Sequence, residues 1–399
     1  MFIKSLEITN FRSLKKVRID GMQPICIFHG LNNSGKSNIF AALDLILKSK
    51  FIVDAPVVEL GTEKKEFTRK DTSFYTGRLD GFEDNFYMNR RDPIEFKLRV
   101  EFQPEELKRH KDILEMIKPE GPGSGNRRTL RLSDGHANVL IVSGAFVYVD
   151  DQSCDVVTKQ VSLNENYILY RKTGEKLDYL PSLHDSPKAD LDARVQVFEN
   201  LMRQLTDSFQ VIGADRFLGT EKLSLDLETQ KLTSESFKRF LFWLSTHKTR
   251  HQQFKEICDH FGKKPFPFGE VSFFVDRKTN EIEVMIERSK LRLPLGRLGS
   301  GVQQILFLIA SVLSNQKKII AIEEIELNLS KEAQREVFEM LKAMVKSGKI
   351  LQQVIVTSHS PYFQDRADVK YYEVMYDHSA LETNVKPATK GRLKIYHRL

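Results

Sequence analysis

The chain has 399 residues, enough for one large domain or two to three smaller ones, and 41% are hydrophobic, enough to bury a sizeable core. Its 61 Lys and Arg outnumber 54 Asp and Glu, and the net charge of +7 permits a nucleic-acid partner without demanding one. The three cysteines, Cys26, Cys154 and Cys258, are too far apart to suggest a disulfide framework or a metal-ligand spacing and fit a reducing cytoplasm, while no run approaches the ~18 apolar residues of a membrane span.

Ile3 to Ile8 alternates apolar and polar residues and predicts a half-buried strand. The N-terminus, Met1-Phe2-Ile3-Lys4-Ser5, has polar residues where a signal peptide would be apolar, so no signal peptide is expected. Asn10 to Leu14 predicts a turn, Lys15 to Ile19 a return strand, and Ile25 to Phe28 a buried strand. Gly30-Leu31-Asn32-Asn33-Ser34-Gly35-Lys36-Ser37 follows, a complete G-x-x-x-x-G-K-[ST] loop, and Asn38 to Leu47 predicts a helix after it. Strand, loop and helix form the context in which this motif cradles phosphates. Glycines let successive backbone N–H groups curl round a phosphate chain, and the helix N-terminus adds a partial charge of about +0.5. Lys36 is placed to reach the β- and γ-phosphates and Ser37 to hold Mg²⁺.

Asp54 to Asp92 is irregular, with Lys64, Lys65, Arg69, Lys70, Arg90 and Arg91 among scattered aromatics. It reads either as a basic loop near the nucleotide or as a solvated loop pinned by its aromatics. Ile94 to Phe102 alternates strictly and predicts a strand, and Pro104 to Ile117 a helix. Pro119 to Asn126 predicts a flexible break, and Arg128 to about Tyr179 a β-rich stretch with short strands at Val139–Val142 and Phe146–Val149. A helix is predicted over Ala193 to Phe209, where Val197, Leu201 and Leu205 recur at helical spacing, then a strand from Gln210 ending in the polar turn Gly213-Ala214-Asp215-Arg216. Helices at Ser234–Ser245 and Arg250–Phe261 and a hairpin of Val271–Val275 with Glu281–Ile286 complete the middle.

Leu298-Gly299-Ser300-Gly301-Val302-Gln303-Gln304 introduces an apolar helix, Ile305 to Leu313. Lys318 to Glu324 is an apolar run closing in two carboxylates, Glu323 and Glu324, as a phosphate-loop site needs for Mg²⁺ and for orienting water. A helix over Lys331 to Val345 and a buried strand, Gln353 to Thr357, lead to Ser358-His359-Ser360-Pro361. Buried strands alternating with helices argue for a mainly parallel sheet with the nucleotide at its carboxyl ends.

Taken together, these segments resemble the ABC-type ATPases of the RecF, SMC and OLD branch. The resemblance rests on Ile8 to Leu14, the loop Gly30 to Ser37, the signature Leu298 to Gln304, the pair Glu323-Glu324 and Thr357 to Pro361. It is dense over about residues 1–50 and 270–376. The joined signature and the Ser-His-Ser-Pro switch favour OLD-like and Septu-type antiphage ATPases. The implied fold is α/β: an ABC-type P-loop ATPase head with a mixed sheet and an antiparallel β subdomain, plus an inserted α+β region. Its lobes would be 1–103 and 269–399, with the insertion at 104–268.

The resemblance also implies a mechanism. ATP is gripped by Gly30 to Asn38 of one subunit, with Asn32, Asn33, Ser34, Gly35 and Lys36 in the cradle. Ser300 and Gly301 of a second subunit close on the γ-phosphate. Glu323 and Ser37 support Mg²⁺, Glu324 polarises the attacking water, His359 senses the γ-phosphate, and Arg12 contacts the nucleotide. Gln103 is a candidate for the glutamine of the family's glutamine loop. Glu323 stands where many relatives have Asp, Ile325 replaces a common proline, and Leu327 to Ser330 departs from the usual Leu-His-Pro ending. OLD nucleases continue into an acidic nuclease domain; here about 40 residues follow His359. The expectation is an ATP-dependent homodimer or higher homo-oligomer that regulates a separate effector, a nuclease or toxin, with DNA as a possible partner and no membrane. The alternatives are a RecF-like repair ATPase and a scaffold that binds ATP with very slow turnover.

Overall fold

The computed structural model describes residues 1–48, 85–110, 114, 138–150, 153–164, 167–173, 176–178, 187–214, 216, 236–263, 265–276, 281–314, 317–360, 363 and 368–388. The chain divides into two compact units, Met1–Phe209 with Asp368–Leu399, and Gln210–Ala367.

The first unit opens with β1 (Phe2–Phe11) and β2 (Leu14–Ile19), antiparallel with Leu6 opposite Ile19. The alternation read in the sequence becomes one buried face, with Ile3, Leu6 and Ile8 at most 1% exposed. β3 (Ile25–His29) is buried along its whole length, which is why it reads as a continuous apolar run. Helix α1 (Lys36–Lys48) starts at the loop lysine and turns Ile39, Phe40, Leu43 and Ile46 inward. β4 (Ile94–Phe102) pairs with β1, Ile8 opposite Phe96, and every second residue is buried. Of the helix expected over Pro104–Ile117, the described residues hold one α-turn, α2 (Pro104–Leu107), a 3₁₀ turn, Lys108–His110, and Leu114, which is helical. Most of its remainder lies outside the described residues, as do the Gly-rich break and the basic residues Lys64, Lys65, Arg69 and Lys70.

β5 (Asn138–Asp150), β6 (Ser153–Leu163), β7 (Tyr167–Thr173) and β8 (Lys176–Asp178) extend the sheet. Among the described residues it has seven strands, all antiparallel, in the order β2-β1-β4-β5-β6-β7-β8. β5 is one strand where the sequence suggests two. Ser143-Gly144 reads as a break, but the backbone absorbs it as a shift of register against β6. Helix α3 (Pro187–Ser208) begins at Pro187, whose fixed φ suits a first helical position, and Thr206 Oγ1 donates to Leu47 O at 2.5 Å.

The second unit begins at Gln210, within β9 (Phe209–Ile212). Helices α4 (Phe237–Thr246) and α5 (His251–Gly262) precede a three-stranded antiparallel sheet of β10 (Glu270–Asp276), β11 (Glu281–Arg288) and β12 (Leu291–Pro294). Helix α6 (Ser300–Ser314) is apolar nearly all round, and Gln304 to Ser314 are all buried. β13 (Ile319–Ile322) and β14 (Gln353–Ser358) pair in parallel, Ile322 opposite Val356, and both are buried throughout. Helix α7 (Lys331–Ser347) joins them; Ser330 caps its start and Gly348, at φ +62°, ends it.

The chain then returns to the first unit with β15 (Lys370–Asp377), parallel to β3, and β16 (Glu382–Pro387), antiparallel to β15. This arrangement is mixed, as expected of the α/β head. Tyr372 stacks on Phe28 at 4.9 Å and donates its hydroxyl to Asp20 O at 2.7 Å, fixing β15 beside the strand that leads into the loop.

Candidate nucleotide site

In the first unit the loop Gly30–Ser37 joins β3 to α1. Lys36 is 6% exposed, and its Nζ donates to Gly30 O at 2.9 Å and Leu31 O at 2.7 Å, so the ammonium lies over the loop's own carbonyls. Gly35 has φ +95°, and a Cβ there would sit 2.1 Å from Thr383 Oγ1. Only glycine fits, on both backbone and steric grounds. Leu31, Asn32, Asn33 and Ser37 are exposed along the crest. Asn33 has φ +61°, a conformation asparagine tolerates better than most residues.

A polar network holds the loop from beneath. Asn38 Nδ2 donates to Ser13 Oγ at 2.7 Å, Ser13 Oγ and Thr383 Oγ1 share a hydrogen bond of 2.7 Å, and Thr383 Oγ1 lies 3.1 Å from Ser34 O. Thr383 N also donates to Ser13 O at 2.8 Å. The N-terminal turn and the β15–β16 hairpin thus clamp the phosphate loop together. The Ser34 hydroxyl is buried without a hydrogen-bond partner among the described residues. A tight backbone cradle, an unpartnered hydroxyl and an α1 N-terminus fit a phosphate chain.

Arg12 sits in the same turn at φ +48°, its Nε donating to Asn85 Oδ1 at 3.0 Å and its guanidinium 5.3 Å from the Phe11 ring centre. Arg91 lies over the Tyr148 ring at 4.3 Å, so one arginine of the basic stretch is pinned by an aromatic. Gln103 precedes α2, and its backbone N–H donates to Glu106 Oε2 at 2.9 Å.

In the second unit Glu323 and Glu324 follow β13. Glu324 is in the left-handed region, φ +42°, where a non-glycine residue stores strain. Its N–H donates to Thr357 Oγ1 at 2.9 Å. The Glu323 N–H donates to Ile212 O at 2.9 Å. Arg216, 2% exposed, closes the arrangement: Nε donates to Gly213 O at 2.9 Å, Nη1 to Gln304 Oε1 at 3.5 Å, and Nη2 to Glu323 O and, at 3.3 Å, to Glu324 O. Burial pulls this guanidinium down to about 10, against the opposing pull of Glu326, Glu323 and Glu324. It therefore remains a cation at neutral pH, with carboxylates around it. His359 is exposed just after β14, and Glu326 Oε1 accepts its backbone N–H at 2.7 Å and lies 3.0 Å from its Nδ1.

Ser300 is exposed at the first position of α6. Gly301 lies against the Asn328 carbonyl, 2.7 Å from where its Cβ would be. The signature and the loop after the acidic pair are thus in contact, and Leu327 to Ser330 still builds a tight turn despite its departure from Leu-His-Pro.

The expected residues therefore fall into two groups. Gly30 to Asn38 are gathered with Ser13 and Thr383; Glu323, Glu324 and His359 are gathered with Arg216, Thr357 and Glu326. Sequence reasoning passed over Arg216, Glu326 and Thr383. Arg216 closes a polar turn after a strand, and Glu326 is an acid two places beyond a known acid, so both left a signal. Thr383 left none, because nothing local marks a threonine as the support of a loop near the other end of the chain.

The Ser37 hydroxyl in the first unit and the Glu323 carboxylate in the second are each the oxygen type that Mg²⁺ takes, and Mg²⁺ leaves most of its positions to water and phosphate. Among the described residues no three of His, Cys, Asp and Glu form a metal cage, and that ligand pattern needs none.

The AAA ATPase domain family matches residues 1–363. The chain belongs to the AAA ATPase domain family. It is 32% identical over 123 residues to an uncharacterized protein of Methanocaldococcus jannaschii, covering 30% of this chain and 37% of that one. It is 23% identical over 244 residues to the DNA replication and repair protein RecF of Caldanaerobacter subterraneus subsp. tengcongensis, covering 56% of this chain and 61% of that one. The chain thus spans less than two thirds of the length of either relative. Among solved structures, the SMC head domain from Thermotoga maritima is 12% identical over 98% of this chain and 100% of that one, with a TM-score of 0.45. Among the described residues no helix is long and apolar enough to cross a membrane.

Proposed function

We propose that this ATPase domain binds ATP on Gly30–Asn38 and hydrolyses it, with two copies closing around the nucleotide. The observation that carries hydrolysis is the clamp on Glu324. An acid in a strained backbone conformation, held at its N–H by Thr357 and at its carbonyl by Arg216, is aimed rather than merely solvated. In this reading Lys36 leaves the loop carbonyls for the β- and γ-phosphates, and Asn32, Asn33, Ser34 and Gly35 present backbone N–H groups. Arg12 exchanges Asn85 for the nucleotide. Ser37 and Glu323 hold Mg²⁺, which supplies charge neutralisation at the phosphates when bound. Glu324 accepts a proton from the attacking water and His359 meets the γ-phosphate. Ser300, exposed, and Gly301, half-buried beside it at a helix N-terminus, cap the same phosphate from the second copy. The lobes 1–103 and 269–399 carry these motifs, and 104–268 is the insertion.

The cycle then serves as a signal to a separate effector, a nuclease or toxin, in antiphage defence in the cytoplasm. This rests on the likeness of Leu298–Gln304 and Thr357–Pro361 to OLD-like and Septu-type ATPases. A second reading, DNA repair or recombination of the RecF kind, is favoured by the RecF relative.

Steady-state phosphate release and ATP affinity test the core of the proposal. Glu324→Gln is expected to slow turnover by about a hundredfold or more while ATP still binds. Turnover equal to that of the unaltered protein would remove Glu324 from the water-orienting role. Tight ATP binding without measurable turnover in the unaltered protein would favour the scaffold reading instead.

A further inference from the structure

Glu326 has no part in the scheme above, yet it is the one acid among the described residues that is buried, 7% exposed. Its Oε1 accepts the His359 backbone N–H at 2.7 Å and lies 3.0 Å from His359 Nδ1. The carboxylate is hidden while the imidazole it grips is 45% exposed. Its own backbone is fixed. Leu329 N donates to Glu326 O at 3.0 Å and Leu327 N to Glu324 O at 2.9 Å, so Glu326 sits within a turn closed on both sides. The Arg216 cation is close enough to interact electrostatically with it, and that cation also clamps the Glu323 and Glu324 carbonyls. Its second oxygen, Oε2, is buried without a hydrogen-bond partner among the described residues. A buried carboxylate held this way is costly unless it does something, because charge and lone pairs are both withdrawn from water.

We propose that Glu326 is the positioning residue for His359. By taking Nδ1 it selects the ring nitrogen that remains, so Nε2 alone is left to meet a ligand. By taking the backbone N–H with the same oxygen it fixes the ring relative to the end of β14. An imidazole with one nitrogen engaged by a buried carboxylate has a single orientation and a defined tautomer, the arrangement by which second-layer groups tune ligating histidines. Glu326 also belongs to the turn that carries Glu323 and Glu324, so the acid that orients water and the histidine at the γ-phosphate share one support. The inference deepens the ATPase reading and rests on it for its kinetic consequence, though not for its structural one.

Two measurements separate them. ¹⁵N-histidine NMR on nucleotide-free protein, with His359→Asn used to identify the resonance, is expected to show His359 protonated at Nδ1. Glu326→Ala should lose that signature, and Glu326→Gln, whose amide oxygen can still accept both N–H groups, should keep it. In kinetics, Glu326→Ala should lower turnover about tenfold to a hundredfold with KM for ATP changed less than about twofold. Glu326→Gln should recover most of the loss. Adding Glu326→Ala to His359→Ala should cost nothing further. An unchanged His359 resonance in Glu326→Ala, or losses that add in the double variant, overturns the positioning role. If the unaltered protein hydrolyses no ATP, the ATPase reading fails while the NMR comparison still decides for or against Glu326.

Discussion

Thr357 ends β14 with a hydroxyl that accepts the Glu324 N–H and a carbonyl that lies 3.4 Å from the Ile325 N. It is 1% exposed, so water cannot replace what it supplies. Thr357→Val keeps the shape and removes the acceptor. The expected cost is about 1–3 kcal/mol of stability, from leaving the Glu324 N–H unpaired, together with a drop in turnover larger than any change in ATP affinity. Thermal unfolding and phosphate release read the two effects separately. At this scale the sequence announces roles unevenly. Lys36, Ser37, Glu323, Glu324 and His359 can be named from order and spacing, because each follows a strand or opens a helix. Arg216 and Glu326 cannot be given roles that way, since their importance lies in which carbonyl or imidazole they touch after folding.

At the scale of elements, the phosphate loop depends on segments far from it in sequence. Thr383 on β16 contacts both Ser13 and Ser34 O, and its hydroxyl fills the space a side chain at position 35 would need. Gly35→Ala must place a Cβ 2.1 Å from that hydroxyl while holding φ at +95°. ATP binding is expected to fall at least tenfold, by isothermal calorimetry, and removing the obstacle with Thr383→Ala should not restore it, because the backbone strain persists. Strand alternation made β1 and β4 legible, and a continuous apolar run made β3, β13 and β14 legible. β12 was not, since it is only four residues long and Leu291, Arg292 and Leu293 are all exposed, so their brief alternation marks no buried face. Helix α6 was read from Ile305 because Ser300, Gly301, Gln303 and Gln304 interrupt the apolar pattern; the helix begins at Ser300, which is exposed, and Gln304 is already buried.

At the scale of the whole molecule, the proposal makes association a consequence of ATP. The Glu324→Gln protein is expected to run as a monomer without nucleotide and as a dimer or larger with Mg²⁺ and ATP, by light scattering. Ser300→Arg should abolish the shift while leaving ATP affinity unchanged; a shift that survives would remove Ser300 from the contact. The net charge of +7 gives the RecF-like reading its own signature. DNA binding that weakens steeply with salt supports it, and none at low salt argues for the effector reading. One feature of the acidic pair bears on the molecule's folding as well as its chemistry. Glu324 occupies a backbone conformation that glycine or asparagine would enter at less cost, so the native state gives up about 1–3 kcal/mol at the residue hydrolysis is proposed to need. Thermostability and turnover therefore make opposing demands on position 324. Variants chosen only for heat resistance are expected to discard the glutamate first.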